Sequence, residues 1–177
     1  IIIDPRRVPL VDHATLFLQP KPGTDQYVFL AMAHVMLREG WADTEFIAAR
    51  TEGFEDFARS VEAYPPEVAA LASGVPADLI ERAARLYALG ERAAGPQTAD
   101  DRLPSDQAIA VDGQRSAVVE RGRSTILYAM GITQRRNGTE LVLTLANLAM
   151  LCGQIGKPST GINPLRGQSN VQGACDM

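Results

Sequence analysis

Twice along the chain a short apolar run passes through a polar loop into a long amphipathic helix. Thr125-Ile126-Leu127-Tyr128-Ala129-Met130 reads as a core strand, and the loop from Gly131 to Gly138 leads into a helix expected from Thr139 to about Cys152. Leu141, Leu145, Leu148 and Cys152 then share one face of that helix. Ala14-Thr15-Leu16-Phe17-Leu18 reads as a second short strand, ended by Pro20 and Pro22, which cannot donate to a ladder. Pro22-Gly23-Thr24-Asp25 opens the next helix, expected over Asp25 to Arg38, with Thr24 or Asp25 as N-cap and Gly40 as the stop. Ile1-Ile2-Ile3 ahead of Asp4-Pro5-Arg6 reads as the end of a parallel strand buried on both faces. Strands alternating with helices predict an α/β fold: a three-layer, doubly wound, Rossmann-like, mainly parallel sheet with flanking helices, incomplete at its N-terminal side.

The rest of the chain fills in around this frame. From Asp43 to Leu89 the pattern is helical in three or four pieces, started at Pro65-Pro66 and at Val75-Pro76-Ala77-Asp78, and expected simply to cover the sheet. The last piece presents Leu79, Ala83, Leu86 and Leu89 on one face. Between Glu91 and Arg123 the sequence turns to Ala, Gly, Pro, Gln and Asp with little apolar periodicity. Residues 92–123 are expected to be a surface insertion carrying a hairpin, with Asp112-Gly113 as its two-residue turn.

Composition excludes several classes. With 177 residues the length fits one domain with a real core. A formal net charge of -4 gives no electrostatic case for nucleic acid, whose binders show a basic surplus. No apolar run reaches the roughly 18 residues that span a bilayer, so no membrane contact is expected from this segment, and a cytoplasmic setting is the working expectation. Cys152 and Cys175 lack a CxxC partner or a neighbouring His cluster, so no protein metal ligands are assigned, and Cys152 reads as a small buried hydrophobe. His13 and His34 match no catalytic pattern, His34 lying within an apolar helix. There is no GxGxxG and no GxxxxGK[ST], so a nucleotide site here is not of the usual dinucleotide or P-loop kind. The chain opens on Ile1 and closes on Met177 in the middle of a polar stretch, and it is expected to be an internal piece of a longer polypeptide.

The polar loops carry the functional expectation. Asp4-Pro5-Arg6, Pro22-Gly23-Thr24-Asp25 and Met130 to Gln134 all follow, or lie near, candidate strand ends of one sheet, where doubly wound folds bind ligands. On the plainer alternative, Asp4 and Asp25 only cap helices and Arg6 sits in solvent. The final stretch, Asn163 to Met177, holds one guanidinium, four side-chain amides and two glycines with neither helical nor strand periodicity. Such a stretch is suited to binding.

Several motifs together resemble a known family. They are Ile3-Asp4-Pro5-Arg6, Pro22-Gly23-Thr24-Asp25, Glu39-Gly40, Arg50-Thr51-Glu52-Gly53-Phe54, Met130-Gly131-Ile132-Thr133-Gln134, the run from Leu148 to Pro158, and the whole of Asn163 to Met177. The first two are short; the terminal motif is the specific one. The sequence is similar to the catalytic subunit of molybdopterin-dependent formate dehydrogenases, within the dimethyl-sulfoxide-reductase superfamily. That resemblance implies a bis-(molybdopterin guanine dinucleotide) cofactor with Mo or W, formate as substrate, and 4Fe-4S clusters in the missing part that pass electrons to partner subunits or domains. By resemblance, Asp4 and Arg6 line the guanosine pocket beside Gly23, and Asp25 accepts hydrogen bonds from guanine N1 and N2, which suits a carboxylate. Met130, Gly131 and Gln134 line the pterin side, while Arg166 and Gln168 sit beside the metal. An arginine fork is the side chain suited to hold the formate carboxylate in one orientation. Nitrate-reductase members carry Thr-Gly-Gln where this chain has Arg166-Gly167-Gln168, and Arg135-Arg136-Asn137 departs from a loop that is more often aromatic or His-containing. The resemblance assigns residues 1–165 to the cofactor-binding domain and 166–177 to the start of a crossover into a missing domain. Two alternatives stand beside it: a related molybdopterin oxidoreductase acting on another anion, such as nitrate, and a non-catalytic nucleotide-binding or assembly module.

Overall fold

The computed structural model describes residues 1–90, 122–165 and 167. Strand β1 (Ile2–Ile3) leads through a 3-10 helix (Pro9–His13) to β2 (Phe17–Leu18) and then α1 (Asp25–Arg38). Four helices follow: α2 (Thr44–Arg50), α3 (Phe54–Val61), α4 (Pro66–Ser73) and α5 (Ala77–Leu89). After residue 121 come β3 (Thr125–Tyr128), the short α6 (Met130–Thr133), α7 (Gly138–Leu151) and β4 (Gly161–Pro164). The insertion expected at 92–123 falls almost wholly outside the described residues, as does its hairpin.

Both sheets among the described residues are two-stranded and parallel: β1 pairs with β2, Ile2 opposite Phe17, and β3 pairs with β4, Thr125 opposite Gly161. The first ladder carries on into the loop, where the Asp4 N–H donates to the Leu18 carbonyl at 3.2 Å. The second carries on likewise, with the Leu165 N–H on the Tyr128 carbonyl at 2.7 Å. The architecture is therefore mixed α/β with short parallel sheets. Ile1 is exposed and Ile2 and Ile3 are half-buried, contrary to the strand covered on both faces that three consecutive isoleucines suggested. The reason is local: Ile1 and Ile3 border a cavity rather than a covering helix.

Helix α1 occupies the centre. Val28, Phe29, Ala31, Met32, Ala33, Val35 and Met36 are all buried, nearly all round its axis, because α3, α4, α5 and α7 pack against it. Its end is a Schellman turn: the Trp41 N–H donates to the Met36 carbonyl at 2.8 Å and the Gly40 N–H to Leu37 at 3.2 Å, with Gly40 left-handed. Thr24 precedes the helix, yet its hydroxyl donates back to the Lys21 carbonyl rather than capping. The helices between Asp43 and Leu89 do not simply cover a sheet, as α4 and α5 pack on α1 and on each other. The buried face of α5 is accordingly turned from the expected one. Ile80, Ala83, Ala84, Tyr87 and Ala88 point inward, and Leu79, Leu86 and Leu89 flank them half-buried. Three alanines on that face let α5 approach its neighbours closely.

Helix α7 buries Leu141, Leu145, Leu148 and Cys152, as the spacing predicts. It stops at Gly153, whose φ of +61° is costly for a residue with a Cβ. A Cβ at Gly153 would also overlap the carboxylate of buried Asp43. That carboxylate caps α2 by accepting the Phe46 N–H at 3.0 Å, while the Asp43 N–H donates to the Leu151 carbonyl at 2.8 Å. Gly153→Ala therefore adds a left-handed penalty of about 1–2 kcal/mol to a disturbed cap worth about 1 kcal/mol. The expected result is a lower thermal unfolding temperature of the full-length protein, and an unchanged transition would mean that Asp43 moves aside without loss.

The two ends of the 91–121 segment meet. The Gly122 N–H donates to the Leu89 carbonyl at 2.9 Å, and a Cβ on Gly90 or Gly122 would overlap the backbone of the other. The buried Gln154 amide holds this junction, donating to the Gly122 carbonyl at 2.8 Å and accepting the Ser124 N–H at 3.1 Å. The Ser124 hydroxyl donates to the Tyr87 carbonyl at 2.7 Å, tying β3 to α5.

Candidate functional site

Strands β1, β2 and β3 each lead into a polar segment. The loops beyond them are the three polar segments singled out in the sequence, and they line a single cavity of about 750 Å³. Its floor is apolar, built from Phe29 and Met32 of α1, Leu145 and Leu148 of α7, Tyr87 of α5 and Ile126 of β3. Its charged lining side chains are Asp4, Asp25 and Arg135. Few polar groups over an apolar floor is the usual make-up of a small-molecule site.

The structure brings together Asp4, Gly23, Asp25, Met130, Gly131 and Gln134 around this cavity. Arg6 is not in the lining. Its side chain is 84% exposed, and its contribution is through the backbone, whose N–H donates to Asp4 Oδ1 at 2.7 Å. That bond turns the Asp4 carboxylate at the mouth of the loop. Arg166 and Gln168 lie outside the described residues, but Gly167 between them does not. A Cβ added to Gly167 would overlap Met130 Cε, so residue 167 passes directly against the Met130 thioether. Gln134 Nε2 donates to the same sulfur at 3.1 Å. Met130 thus joins the loop after β3 to the chain beyond β4.

Asp25 opens α1, where a carboxylate is favoured by the helix dipole. It does not stand free: Arg135, from the turn between α6 and α7, donates from Nη1 to Asp25 Oδ2. Both side chains are largely enclosed, 13% and 19% exposed. Beside them Asn137 Nδ2 donates to Gln26 Oε1 at 3.0 Å, so two contacts fasten this turn to the start of α1. The sequence marked Arg135 only as a departure from the family pattern. Its partner lies 110 residues away, a separation no local signal spans.

Tyr87 was missed altogether. It is 7% exposed and lines the cavity, and its hydroxyl is the buried side-chain polar atom among the described residues that has no hydrogen-bond partner. Burial, with a smaller contribution from neighbouring Cys152, pushes the phenol well above its usual pKa, so it stays a proton donor. A buried donor without an acceptor is costly and calls for an explanation.

Away from the cavity the histidines have structural surroundings: His13 is exposed, and His34 Nδ1 meets the Val61 carbonyl at 3.0 Å. Cys152 is buried with its Sγ 3.4 Å from Met36 Sδ. Among the described residues no group of three His, Cys, Asp or Glu is placed to hold a metal ion, and no helix is long and apolar enough to cross a membrane.

Comparison with known proteins agrees across the whole chain. A family model described as molybdopterin oxidoreductase matches residues 1–177. A formate dehydrogenase alpha subunit from Methanococcus maripaludis is 43% identical over 177 residues, covering 100% of this chain and 22% of that protein. Formate dehydrogenase H from Escherichia coli is 39% identical over the same 177 residues, covering 20% of its length. The chain thus spans about a fifth of the length of these curated relatives. Among solved structures, acetylene hydratase from Pelobacter acetylenicus superposes with a TM-score of 0.67 at 23% identity, over 90% of this chain and 18% of that one, a likeness of fold alone.

Proposed function

The chain belongs to the molybdopterin oxidoreductase family, and from that premise we propose that it is the cofactor-holding part of a formate dehydrogenase, carrying one nucleotide end of a bis-(molybdopterin guanine dinucleotide) of Mo or W. The observation that carries this reading is the convergence of three strand-end loops on one cavity.

The residues present fit such a group. A cavity of about 750 Å³ suits one nucleotide-sized ligand end rather than a cofactor with two. Asp25 offers an acceptor-only carboxylate to the N1–H and N2–H donors of guanine. Tyr87 offers a buried hydroxyl that lacks an acceptor. When bound, the cofactor supplies the metal centre that accepts two electrons from formate.

The chain's own part is binding and orientation. Asp4, with Arg6 turning it through the backbone, and Gly23 form the guanosine side. Met130, Gly131 and Gln134 form the pterin side. Arg166 grips the formate carboxylate in a two-point fork, and Gln168 helps hold the cofactor. The position of Gly167 against Met130 supports bringing these two side chains toward that side of the cavity.

The same reading takes residues 1–165 as one domain whose two parallel strand pairs belong to a larger doubly wound, three-layer sheet, with 166–177 beginning the crossover to the next domain. Electrons pass to 4Fe-4S clusters and partner subunits beyond this segment, in a cytoplasmic setting. The test is the full-length protein assayed with formate and with nitrate. Formate oxidation is expected. A cofactor-loaded protein that turns over nitrate and not formate would move the reading to a nitrate-reductase relative, and a full-length protein that binds no cofactor would leave only a nucleotide-binding or assembly module.

A further inference from the structure

The ion pair between Asp25 and Arg135 lies in the wall of the cavity, not in the packed core behind it. It contains the one guanidinium among the described lining residues. Gly23 lies against the same group, its Cβ direction ending 3.5 Å from Arg135 Nη2. The pair is enclosed enough that removing either partner alone leaves a poorly solvated charge behind. A ligand entering this corner must therefore replace both halves of the pair together. A donor-bearing base alone satisfies the carboxylate and strands the guanidinium. An anion alone does the opposite. A nucleotide carries both chemistries on one molecule: ring N–H donors at one end and a phosphate at the other.

We propose that Arg135 is a phosphate-binding residue of this cavity, held on Asp25 until a guanine base takes the carboxylate and then transferred to the phosphate of the same nucleotide. This rests on the nucleotide reading of the cavity above. The exchange leaves no charge unpaired, because each contact broken within the protein is replaced by one to the ligand. It also requires a side chain long enough to swing between two partners. Arg135 stands on the short turn between α6 and α7, whose neighbour Asn137 is fastened separately to Gln26, so its side chain can move while the turn stays in place.

The test is calorimetric titration of the cofactor-free full-length subunit with guanosine and with guanosine diphosphate. The wild type is expected to bind the diphosphate at least about tenfold more tightly than the nucleoside, as one charge-assisted phosphate contact implies. Arg135→Gln should remove most of that preference while guanosine binds as well as before or better, Asp25 no longer being held. Arg135→Lys, which keeps the charge without the fork, should retain part of it. A preference that survives Arg135→Gln intact, or an equal weakening of both ligands, overturns the assignment. Asp25→Asn separates the two levels of inference. If guanosine binding is undiminished in that variant, the nucleotide reading itself fails and the Arg135 proposal with it. If guanosine binding is lost there while Arg135→Gln keeps its diphosphate preference, only the role of Arg135 fails.

Discussion

Asp25→Ala in the full-length protein is expected to strip most of the guanine nucleotide from the polypeptide. Two charge-assisted hydrogen bonds at about 1.5–3 kcal/mol each disappear from the complex, which amounts to a hundredfold loss of affinity or more. A second effect acts on the protein before any ligand arrives. Arg135 loses its partner while only 19% exposed, and a largely enclosed guanidinium without a carboxylate is unfavourable. Nucleotide released by acid hydrolysis, counted per polypeptide, reads the first effect, and the thermal transition reads the second. Full nucleotide content in the variant would refute the role given to Asp25. Asp25→Asn keeps the shape of the side chain and tests the charge alone.

Arg166→Lys is expected to act at the other end of the reaction. A lysine keeps the positive charge and loses the planar two-point grip, so on the role proposed for Arg166 formate would be held by one contact in place of two. The formate KM should rise by about tenfold to a hundredfold, the equivalent of roughly 1.5–3 kcal/mol, with a lower kcat because the carboxylate is no longer fixed in orientation. Metal and nucleotide content should stay near that of the wild type. Asp25→Ala gives the opposite split: few loaded molecules, each with a near-normal formate KM. A variant at Arg166 that loses metal instead of formate affinity would place that side chain in cofactor retention.

The parts of the fold that the sequence discloses are those whose cause is local. Helix α1 ends before a left-handed Gly40 because its stop chemistry lies within one turn of that boundary, and it begins at Asp25 although the Thr24 side chain does not cap it. The inward face of α7 follows from leucines at helical spacing. Strand β4 is different. Gly161-Ile162-Asn163-Pro164 has no strand composition, and it is a strand because β3 lies beside it and because a proline is tolerated at the end of an edge strand. Met130 likewise belongs to the start of α6, although the apolar run containing it reads continuously from β3. The isoleucines at the start of the chain mislead for the same reason: Ile1 is exposed and the β1 pair only half-buried, since the cavity beside them is completed by segments far away in sequence.

The candidate site divides along the same line. The convergence of the loops after β1 and β2 was legible, because polar segments after neighbouring parallel strands emerge on one side, whereas the segment after β3 reaches the same cavity from a second strand pair. The ion pair of Asp25 with Arg135 and the unpartnered Tyr87 hydroxyl were not, since each depends on which helices meet. The motif around Arg166 and Gln168 names the chemistry by resemblance, and its described neighbours tie it to the cavity wall, Leu165 as part of the lining and Gly167 against Met130.

The closed junction of Leu89 and Gly90 with Gly122 bears on how such a chain can change over time. The backbone leaves and returns at one point, so the number of residues between is not transmitted to β3 or α5 as a shift of register. Lengthening a connection between fixed ends costs only about 0.6 kcal/mol for each doubling of its length. Lineages carrying this domain can therefore acquire or shed chain here, and a reporter whose own ends lie side by side could be spliced in, with the Gln154 amide keeping the seam shut.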